Sequence, residues 1–299
     1  MKSIFWLLLV LGLPIGFSGC GGNSASGPPP PPPVTNTFAY LRSVGHFTPY
    51  QIKVMKSDGS QAVIGSPDYF LSVRLSPDGK KIVYSYSAAN GYQIGIMNAD
   101  GSGQTTLTTT GGVYPQFAFN GSKIVYEDEA SGGVVLMNAD GTNPITLSQS
   151  GYSYWWPSIS PNGSLIVMGF SQPGGATGLA TMNIDGSGFK VIEYCNYCYT
   201  PTFSADGTRL LLQDDPQAYL WSINLDGTMP RQLTTTSTNL GPVVVGNQVM
   251  YDAIPAGTQN PDWGSYRIFS MNPDGSNQTQ VTTDSAFDGF MTSEAPYPQ

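Results

Sequence analysis

The sequence predicts an all-β protein built as a ring of similar four-stranded sheets, and its composition and two alternating repeats support this prediction. Only 11% of the 299 residues are charged, whereas an average soluble protein has about 25%. The chain is rich in turn residues, with 36 Gly and 24 Pro, and poor in the residues of long helices and coiled coils. Because 40% of the residues are apolar and 12% are aromatic, the chain can bury a core and is not disordered throughout.

The N-terminal residues are typical of a secretory signal peptide. A single Lys precedes a mostly apolar run at residues 4–17, which is shorter than the roughly 20 residues that a membrane-spanning helix needs. The run leads into Phe-Ser-Gly-Cys, which resembles the lipobox of bacterial lipoproteins, although that family usually has Leu where this chain has Phe17. The resemblance implies that residues 1–19 are removed and that Cys20 is acylated. A signal peptide that merely contains a Cys is the alternative.

Residues 20–35 are predicted to form a tether between the lipid and a folded domain. After the Cys, the segment consists of Gly, Ser, Asn and Ala and continues into six consecutive prolines. Gly/Ser-rich chain is flexible, and a proline run is extended at about 3.1 Å per residue. Gly21 stands where inner-membrane lipoproteins commonly have Asp, which by the same resemblance favours the outer membrane. We therefore expect a lipoprotein of the bacterial cell envelope, anchored in the outer membrane only by its N-terminal lipid and facing the periplasm or the cell exterior.

A first repeated motif occurs six times after this tether. Its clearest copy is Met-Asn-Ala-Asp-Gly-Ser at residues 97–102. The Asp residues of the six copies, at positions 58, 100, 140, 185, 226 and 274, follow one another at steps of 42, 40, 45, 41 and 48 residues. So regular a period indicates a repeat architecture. A second motif alternates with the first, with Ser-Pro-Asp-Gly at residues 76–79 leading into an apolar run, and looser copies begin at positions 119, 159, 203 and 245.

Both motifs predict β-hairpins. Asp-Gly and Asn-Gly tolerate the positive φ of tight turns, and the flanking Ile, Val, Leu, Tyr and Phe favour strands. Two hairpins in each repeat give four strands, and four-stranded sheets arranged radially are the blades of a β-propeller. Six repeats therefore predict a six-bladed β-propeller of antiparallel blades over residues 36–299. A β-sandwich or two small barrels would not explain the period.

The two ends of this domain predict how the ring closes. Residues 38–40 match the second strand of a blade with no first strand before them, and residues 290–293 match a first strand after the last complete repeat. We expect one blade to be assembled from the N- and C-terminal strands. Such pairing removes two sheet edges that would otherwise be open to aggregation.

The two motifs resemble the propeller repeats of TolB, the periplasmic component of the Tol-Pal system, over about residues 36–299. TolB carries an α/β domain before its propeller, whereas here the proline run directly precedes the repeats. The resemblance implies a binding or scaffold module of the cell envelope with a protein partner, since the TolB propeller docks the lipoprotein Pal. Functions of the TolB α/β domain do not follow from it.

The repeats predict one uniform face of the ring. The turns after the first and third strands of each blade share this face, and they hold eight of the 20 acidic residues. Asp side chains in such turns bond to their own backbone, so we expect a structural role for them. The eight residues are Asp58, Asp78, Asp100, Asp140, Asp185, Asp206, Asp226 and Asp274.

The loops of the opposite face do not repeat. Loops that vary over a rigid scaffold often carry the function, and aromatic side chains with polar tips suit protein, peptide or glycan ligands. We therefore predict an aromatic ligand-binding surface on this face, with packing between blades as the alternative role of each ring. The candidate residues are Tyr152, Tyr154, Trp155, Trp156, Tyr194, Tyr197, Tyr199, Trp263 and His46.

Cys195 and Cys198 form a Cys-x-x-Cys segment in one of these loops. Thiols oxidise outside the cytoplasm, and Asn196 favours a turn that would bring the two Cα atoms within the roughly 7 Å that a disulfide needs. We therefore predict a disulfide that closes this loop. A thioredoxin-type site would need a βαβ context, and a zinc site would need further ligands, for which no partner His or Cys is evident.

Acidic residues also gather where second strands end. They are Glu127, Asp128, Glu129, Asp214, Asp215 and Asp252. Three carboxylates could begin a Ca²⁺ site, because this cation takes about six to eight oxygen ligands. A solvated rim, or an ion pair between Asp252 and Arg42, is the simpler interpretation. We predict no metal and no cofactor.

Charge and motifs limit the possible activities. A nucleic-acid ligand would require a basic face, but the chain has 12 Lys and Arg against 20 Asp and Glu, a net charge of -8. One His cannot build a multi-histidine metal site, and no Gly-x-Ser-x-Gly nucleophile motif is evident. These observations favour a binding module, which we expect to be a monomer, over an enzyme. A secreted propeller hydrolase or lyase acting on a cell-wall or carbohydrate substrate is the alternative.

Overall fold

The computed structural model confirms the all-β prediction. Within the residues that it describes, the chain forms 24 β-strands and no α-helix. No helix in this part of the chain has the length and apolar character needed to cross a membrane. The described residues are 37–43, 51–55, 61–64, 70–109, 111–118, 121–194, 198–214, 218–236, 239–259, 265–283 and 287–289.

The strands form six antiparallel four-stranded sheets, numbered here as blades 1 to 6. Blade 1 contains β1 (Phe38–Ser43), β2 (Gln51–Met55), β3 (Gln61–Ile64) and β24 (Phe287–Gly289). Blade 2 contains β4 (Phe70–Leu75), β5 (Lys81–Ala88), β6 (Gly91–Asn98) and β7 (Thr105–Thr106). Blade 3 contains β8 (Gly112–Ala118), β9 (Lys123–Asp128), β10 (Gly133–Asn138) and β11 (Ile145–Thr146).

The remaining three blades repeat this plan. Blade 4 contains β12 (Ser153–Ile159), β13 (Leu165–Ser171), β14 (Thr177–Asn183) and β15 (Lys190–Tyr194). Blade 5 contains β16 (Cys198–Phe203), β17 (Arg209–Asp214), β18 (Leu220–Asn224) and β19 (Arg231–Gln232). Blade 6 contains β20 (Asn239–Val245), β21 (Gln248–Ala253), β22 (Arg267–Met271) and β23 (Thr279–Gln280).

The first strands of blades 2 to 6 lie at the centre of the ring. They contact one another in chain order, β4 with β8, β8 with β12, β12 with β16 and β16 with β20. Each later strand pairs outward with the next, so the blades radiate from this centre. The prediction of a six-bladed propeller is confirmed.

Both ends of the propeller contribute to blade 1. β24 pairs antiparallel with β1, with Leu41 opposite Gly289 and Ser43 opposite Phe287. The predicted closure by N- and C-terminal strands is therefore confirmed. The described part of the C-terminal strand is Phe287–Gly289; the predicted residues 290–293 lie outside the described residues.

The repeated turns satisfy their polar groups locally. In the turn between β6 and β7, Asp100 Oδ1 accepts hydrogen bonds from the Ser102 N–H at 2.9 Å and the Ser102 hydroxyl at 2.6 Å. The side-chain amide of Asn98 donates to the same hydroxyl at 2.8 Å. The same three bonds recur around Asp140, Asp185, Asp226 and Asp274. These acids hold the hairpins in shape, as predicted; Asp58 lies outside the described residues.

The core is divided among the contacts between neighbouring blades. Among the described residues, each of the six contacts has its own cluster of buried apolar side chains. Between blades 6 and 1, for example, Tyr40 and Met55 pack with Met250 and Ile268. Since burial of apolar surface drives folding, the ring is stabilised at every contact, including the one that joins the two chain ends.

Candidate binding site

A β-bulge interrupts the first strand of each of blades 2 to 6, and in blades 3 to 6 it lies at the same place. On β8, Val113 pairs with Glu127 and Gln116 with Val125, so three residue steps on β8 correspond to two on β9. The same shift occurs on β12, β16 and β20. On β4 the shift lies nearer the start of the strand, between Phe70 and Ser72. Bulges of this kind bend a strand and re-aim its side chains, and they are common beside functional sites.

Four of the bulges contain a residue in the left-handed conformation followed by proline. Residues other than Gly rarely adopt positive φ, and a β-branched residue there is a genuine outlier. For an L-residue this conformation costs roughly 1–2 kcal/mol. The four residues are Tyr114 at φ 50°, Trp156 at φ 50°, Thr200 at φ 47° and Gly241 at φ 33°.

The neighbouring blade holds these bulges in place. The backbone N–H of Trp156 donates to Glu127 Oε2 on blade 3 at 3.0 Å, and the N–H of Gly241 donates to Gln213 Oε1 on blade 5 at 3.3 Å. Glu127, one of the acids considered for a cation site, is thus engaged by the backbone. Tertiary hydrogen bonds therefore support a conformation that the local sequence disfavours.

A small pocket that opens to solvent lies among the bulges. Blades 2 to 6 all contribute to it through their first strands, which places it at the centre of the ring. We call it the central pocket. Its lining residues are Arg74, Tyr114, Gln116, Trp156, Pro157, Thr200, Pro201, Thr202 and Pro242.

Aromatic rings cluster around Trp156. Its ring centroid lies 4.8 Å from that of Tyr199 at an interplanar angle of 59° and 6.3 Å from that of Tyr114 at 65°. The ring centroid of Trp155 lies 6.3 Å from that of Trp156, at an interplanar angle of 79°. The indole of Trp155 packs against Gly169, its partner on the neighbouring strand. A Cβ added to Gly169 would collide with this indole. The structure thus brings together three of the predicted aromatic residues, Trp155, Trp156 and Tyr199.

Two pocket residues carry buried polar atoms with no hydrogen-bond partner in the described part of the molecule. These atoms are Trp156 Nε1 and Thr200 Oγ1, and Thr200 is only 5% exposed. Leaving such a group unpaired costs about 1–3 kcal/mol, and native proteins do so rarely. Both atoms belong to residues that line the central pocket.

Arg74 places a cation at the same pocket. Its guanidinium is partly buried and donates from Nη1 to the carbonyl of Val73 at 2.8 Å. Burial lowers the pKa of Arg74 to about 10, and the negative charge of Asp252 opposes this shift. Arg74 therefore stays charged at neutral pH, with its side chain only partly exposed to water.

Tyr152 and Tyr154 have a packing role. Tyr154 is 1% exposed and belongs to the cluster between blades 3 and 4. Its ring stacks on that of Tyr152 at 6.0 Å and 13°, and both rings contact Phe189 edge-on. Burial also raises the pKa of Tyr154. For these two residues the structure supports the alternative role, packing between blades.

Several predicted residues are not described. Tyr197, Trp263, His46, Cys20, Cys195 and Asp215 lie outside the described residues, as does the side chain of Tyr194. Cys198 is disulfide-bonded; its predicted partner, Cys195, is one of the residues outside. The thiol of Cys198 is therefore not available as a free nucleophile.

The acids near the strand ends have structural partners. Asp214 accepts hydrogen bonds from the Tyr219 N–H at 2.7 Å and from Trp221 Nε1 at 2.8 Å. Asp252 is buried, and its charge acts on Arg74 and on Tyr266. Across the described ranges, no three His, Cys, Asp or Glu side chains are grouped so as to hold a metal ion.

Sequence reasoning missed Arg74, Tyr114 and Thr200 as site residues. A signal for the bulges was present, because Pro115, Pro157, Pro201 and Pro242 recur once in each of blades 3 to 6. A recurring Pro in a first strand indicates a bulge or an edge rather than a regular central strand. No comparable signal marks Arg74.

Comparison with known proteins gave one family and several solved structures. The TolB beta propeller domain family matches residues 32–242. TolB from Acinetobacter baumannii is 18% identical with a TM-score of 0.68, covering 85% of this chain and 65% of that one. A putative TolB from Agrobacterium tumefaciens is 16% identical with a TM-score of 0.65, covering 86% and 92%. This chain thus spans less than two thirds of the Acinetobacter protein.

Two further structures share the fold. A chain of the nidogen/laminin complex is 14% identical with a TM-score of 0.63, covering 81% of this chain and 91% of that one. An oligogalacturonate lyase in complex with manganese is 14% identical with a TM-score of 0.56, covering 82% and 72%. No curated protein matches the chain.

Proposed function

The chain belongs to the TolB beta propeller domain family, and from this premise we propose that it is a binding module of the bacterial cell envelope. A lipid on Cys20 tethers it to the outer membrane, and the aromatic cluster at the central pocket engages a protein partner. The observation that carries the proposal is the pocket itself, where five blades converge on one set of aromatic and polar side chains.

The energetics of the pocket favour a ligand over a purely structural role. Tyr114, Trp156 and Thr200 adopt a backbone conformation that a structural turn would assign to Gly or Asn. Strained residues persist where the surroundings over-determine them, and they cluster at ligand clamps and active sites. Aromatic side chains are also the residues that most often dominate protein-binding surfaces.

The structural neighbours are compatible with two functions. One belongs to a complex between two proteins, nidogen and laminin, and another is a lyase acting on an oligogalacturonate. These likenesses support the fold only, because the identities are 14%. We favour binding because the described residues of the pocket include Arg74 and aromatic rings but no carboxylate that could act as a general base.

Capture of partners from envelope extract tests the proposal. The full chain is immobilised, and wild type is compared with the double variant Trp155→Ala plus Trp156→Ala. We expect the double variant to lose at least one protein that the wild type retains. Ile145→Ser is the matched control, since Ile145 is an apolar side chain that is 57% exposed on an outer strand, away from the pocket. Equal recovery of every protein by wild type and a folded double variant would contradict the proposal.

Membrane fractionation tests the tether separately. Cys20→Ser removes the predicted acylation site and should move the protein from the membrane fraction to the soluble one. Two or more lipid chains are needed for stable anchoring, so the loss should be complete. If Cys20→Ser still sediments with outer membranes, the lipid anchor is wrong, whereas the binding proposal is unaffected.

A further inference from the structure

The central pocket supports a more specific inference, which rests on the proposed function. We infer that Arg74, Trp156 and Thr200 form a subsite for a carboxylate group of a bound peptide. Three independent observations bear on this: a partly buried cation, two buried polar atoms without partners in the described chain, and aromatic rings that pack closely around Trp156.

The charge of the ligand group follows from Arg74. A guanidinium offers five N–H donors in a planar fork that matches a carboxylate in two parallel hydrogen bonds. The bond to the Val73 carbonyl uses one donor nitrogen. Burial lowers the pKa of Arg74, and the charge of Asp252 offsets this shift only in part. A second anion, placed in the pocket, would further favour the charged form of Arg74.

The other two polar groups also call for an acceptor. An indole N–H is a donor only, and a Thr hydroxyl can donate as well as accept. Trp156 Nε1 and Thr200 Oγ1 have no partner in the described part of the chain. A carboxylate has two oxygens with about four lone-pair sites, enough to serve both groups and the guanidinium at once.

The competing ligand classes fit less well. A sugar ring would need an open aromatic face, but the ring of Trp156 is flanked by those of Tyr199, Tyr114 and Trp155. A phosphate group carries up to two negative charges, whereas Arg74 is the one charged residue among those that line the pocket in the described chain. A peptide offers a single carboxylate either on an acidic side chain or at its C-terminus.

The test measures the indole N–H resonance of Trp156 in the ¹⁵N-labelled full chain, assigned with Trp156→Phe. Three acetylated tripeptides are titrated: Ala-Ala-Asp amide, Ala-Ala-Ala with a free C-terminus, and Ala-Ala-Asn amide as the neutral control. We expect a saturable shift with the first, the second or both, which identifies the source of the carboxylate, and none with the Asn peptide. Inorganic phosphate is titrated in parallel and should bind more weakly than the better carboxylate peptide.

Thr200→Val is the decisive variant, because it keeps the shape of the side chain and removes the hydroxyl. We expect it to weaken peptide binding by about tenfold, corresponding to one charge-assisted hydrogen bond. Its melting temperature should be unchanged or higher, since an unpaired buried hydroxyl is removed. Arg74→Met should abolish the shift, and Arg231→Met, on the exposed outer strand β19, controls for the same change in net charge.

The outcomes separate this inference from the proposed function. An unresponsive Trp156 resonance, an equal response to the Asn peptide, tighter binding of phosphate, or full affinity in Thr200→Val would each overturn the inference. If partner capture depends on Trp155 and Trp156 but not on Arg74 or Thr200, the proposed function stands and the carboxylate subsite is wrong. If the peptides bind as expected but the Trp155→Ala plus Trp156→Ala variant captures the same proteins as wild type, the subsite stands and the proposed partner surface is wrong.

Discussion

The turn face and the central pocket use the same unusual backbone conformation with different residues. On the turn face, a left-handed residue follows the Asp-Gly turn of each of blades 2 to 6; these are Gly103, Asn143, Gly188, Met229 and Asn277. In the pocket the left-handed residues are Tyr114, Trp156, Thr200 and Gly241. Gly and Asn tolerate this conformation, so the turn face mostly avoids strain that the pocket retains.

The two regions also differ in how they satisfy polar groups. At the turns, a carboxylate oxygen such as Asp100 Oδ1 is paired within two residues of itself. In the pocket, Thr200 Oγ1 and Trp156 Nε1 remain without partners among the described residues. Strain and unpaired polar groups thus coincide in one place, which is the pattern expected where stability has been given up for binding. The repeated turns thus form the scaffold, whereas the positions that depart from the repeat, with strained backbone and unpaired polar groups, mark the candidate site.

The largest effect should come from placing Gly at one left-handed position in each region. Met229→Gly should raise the free energy of unfolding by about 0.5–1 kcal/mol, because Met229 is 72% exposed and only backbone strain is relieved. Trp156→Gly relieves the same strain but loses the packing with Tyr199 and Tyr114, so we expect a net loss of about 2–3 kcal/mol. Chemical denaturation of both variants measures the difference. If Trp156→Gly were more stable than wild type, the ring would have no packing role, and the predicted difference between the turn face and the pocket would be wrong.

An intermediate effect is expected from adding a methyl group to one glycine in each region. Gly169→Ala forces the Trp155 indole aside and should cost about 1–2 kcal/mol through overpacking. Gly79→Ala meets no atom within 4 Å, but Gly79 has φ +71°, so a loss of about 1 kcal/mol arises from the backbone alone.

A double-mutant cycle separates the two causes. In the background of Trp155→Ala, the penalty of Gly169→Ala should largely disappear, because the new methyl group then has space, while the penalty of Gly79→Ala should be unchanged. Thermal melts of the single and double variants give the coupling. If the effects of Gly169→Ala and Trp155→Ala on the melting temperature simply add, the Trp155 indole is not the cause of the penalty at position 169.

The fold was readable from the sequence because its determinants are local. Asp-Gly turns, strand-forming residues and their period are visible without any tertiary information, and they predict six blades correctly. The closure of blade 1 was also predicted, since residues 38–40 lack a first strand of their own. The C-terminal strand that pairs with β1 includes residues 287–289.

The central pocket was only partly readable, because non-local contacts build it. Pro157 and Pro201 would by themselves push the preceding residue toward extended conformations, yet Trp156 and Thr200 are left-handed. For Trp156, the hydrogen bond to Glu127 on the neighbouring blade stabilises the left-handed conformation, which the local sequence disfavours. The bulge also decides which rings reach the pocket, so that Trp156 lines it while Tyr154, two residues earlier, is buried between blades.

The smallest effect concerns the charge of the turn carboxylates. Hydrogen bonds, first of all from the Ser or Thr hydroxyl of the same turn, lower the pKa values of these Asp side chains in the folded state. A group with a lowered pKa stabilises the fold when the pH is above its unfolded-state pKa of about 3.9. This stabilisation is lost as the pH falls through the folded-state pKa. Asn162 replaces Asp at one turn and accepts the same bonds, from the Ser160 hydroxyl at 2.8 Å and the Ser164 N–H at 3.1 Å.

Exchange of Asp for Asn should therefore preserve the turns and remove their acid sensitivity. The variant carries the substitution at Asp78, Asp100, Asp140, Asp185, Asp206, Asp226 and Asp274. Its melting temperature should be somewhat below that of wild type at pH 7, because the stabilisation by the ionised carboxylates is lost, and should fall less steeply below pH 4. The reverse change, Asn162→Asp, should raise the melting temperature slightly at pH 7 but not below pH 4. Thr200→Val should leave the pH profile unchanged, because no titrating group is altered in the pocket. Identical profiles for wild type and the Asn variant would show that the turn carboxylates stabilise through shape alone, and that the two regions do not differ in their electrostatics.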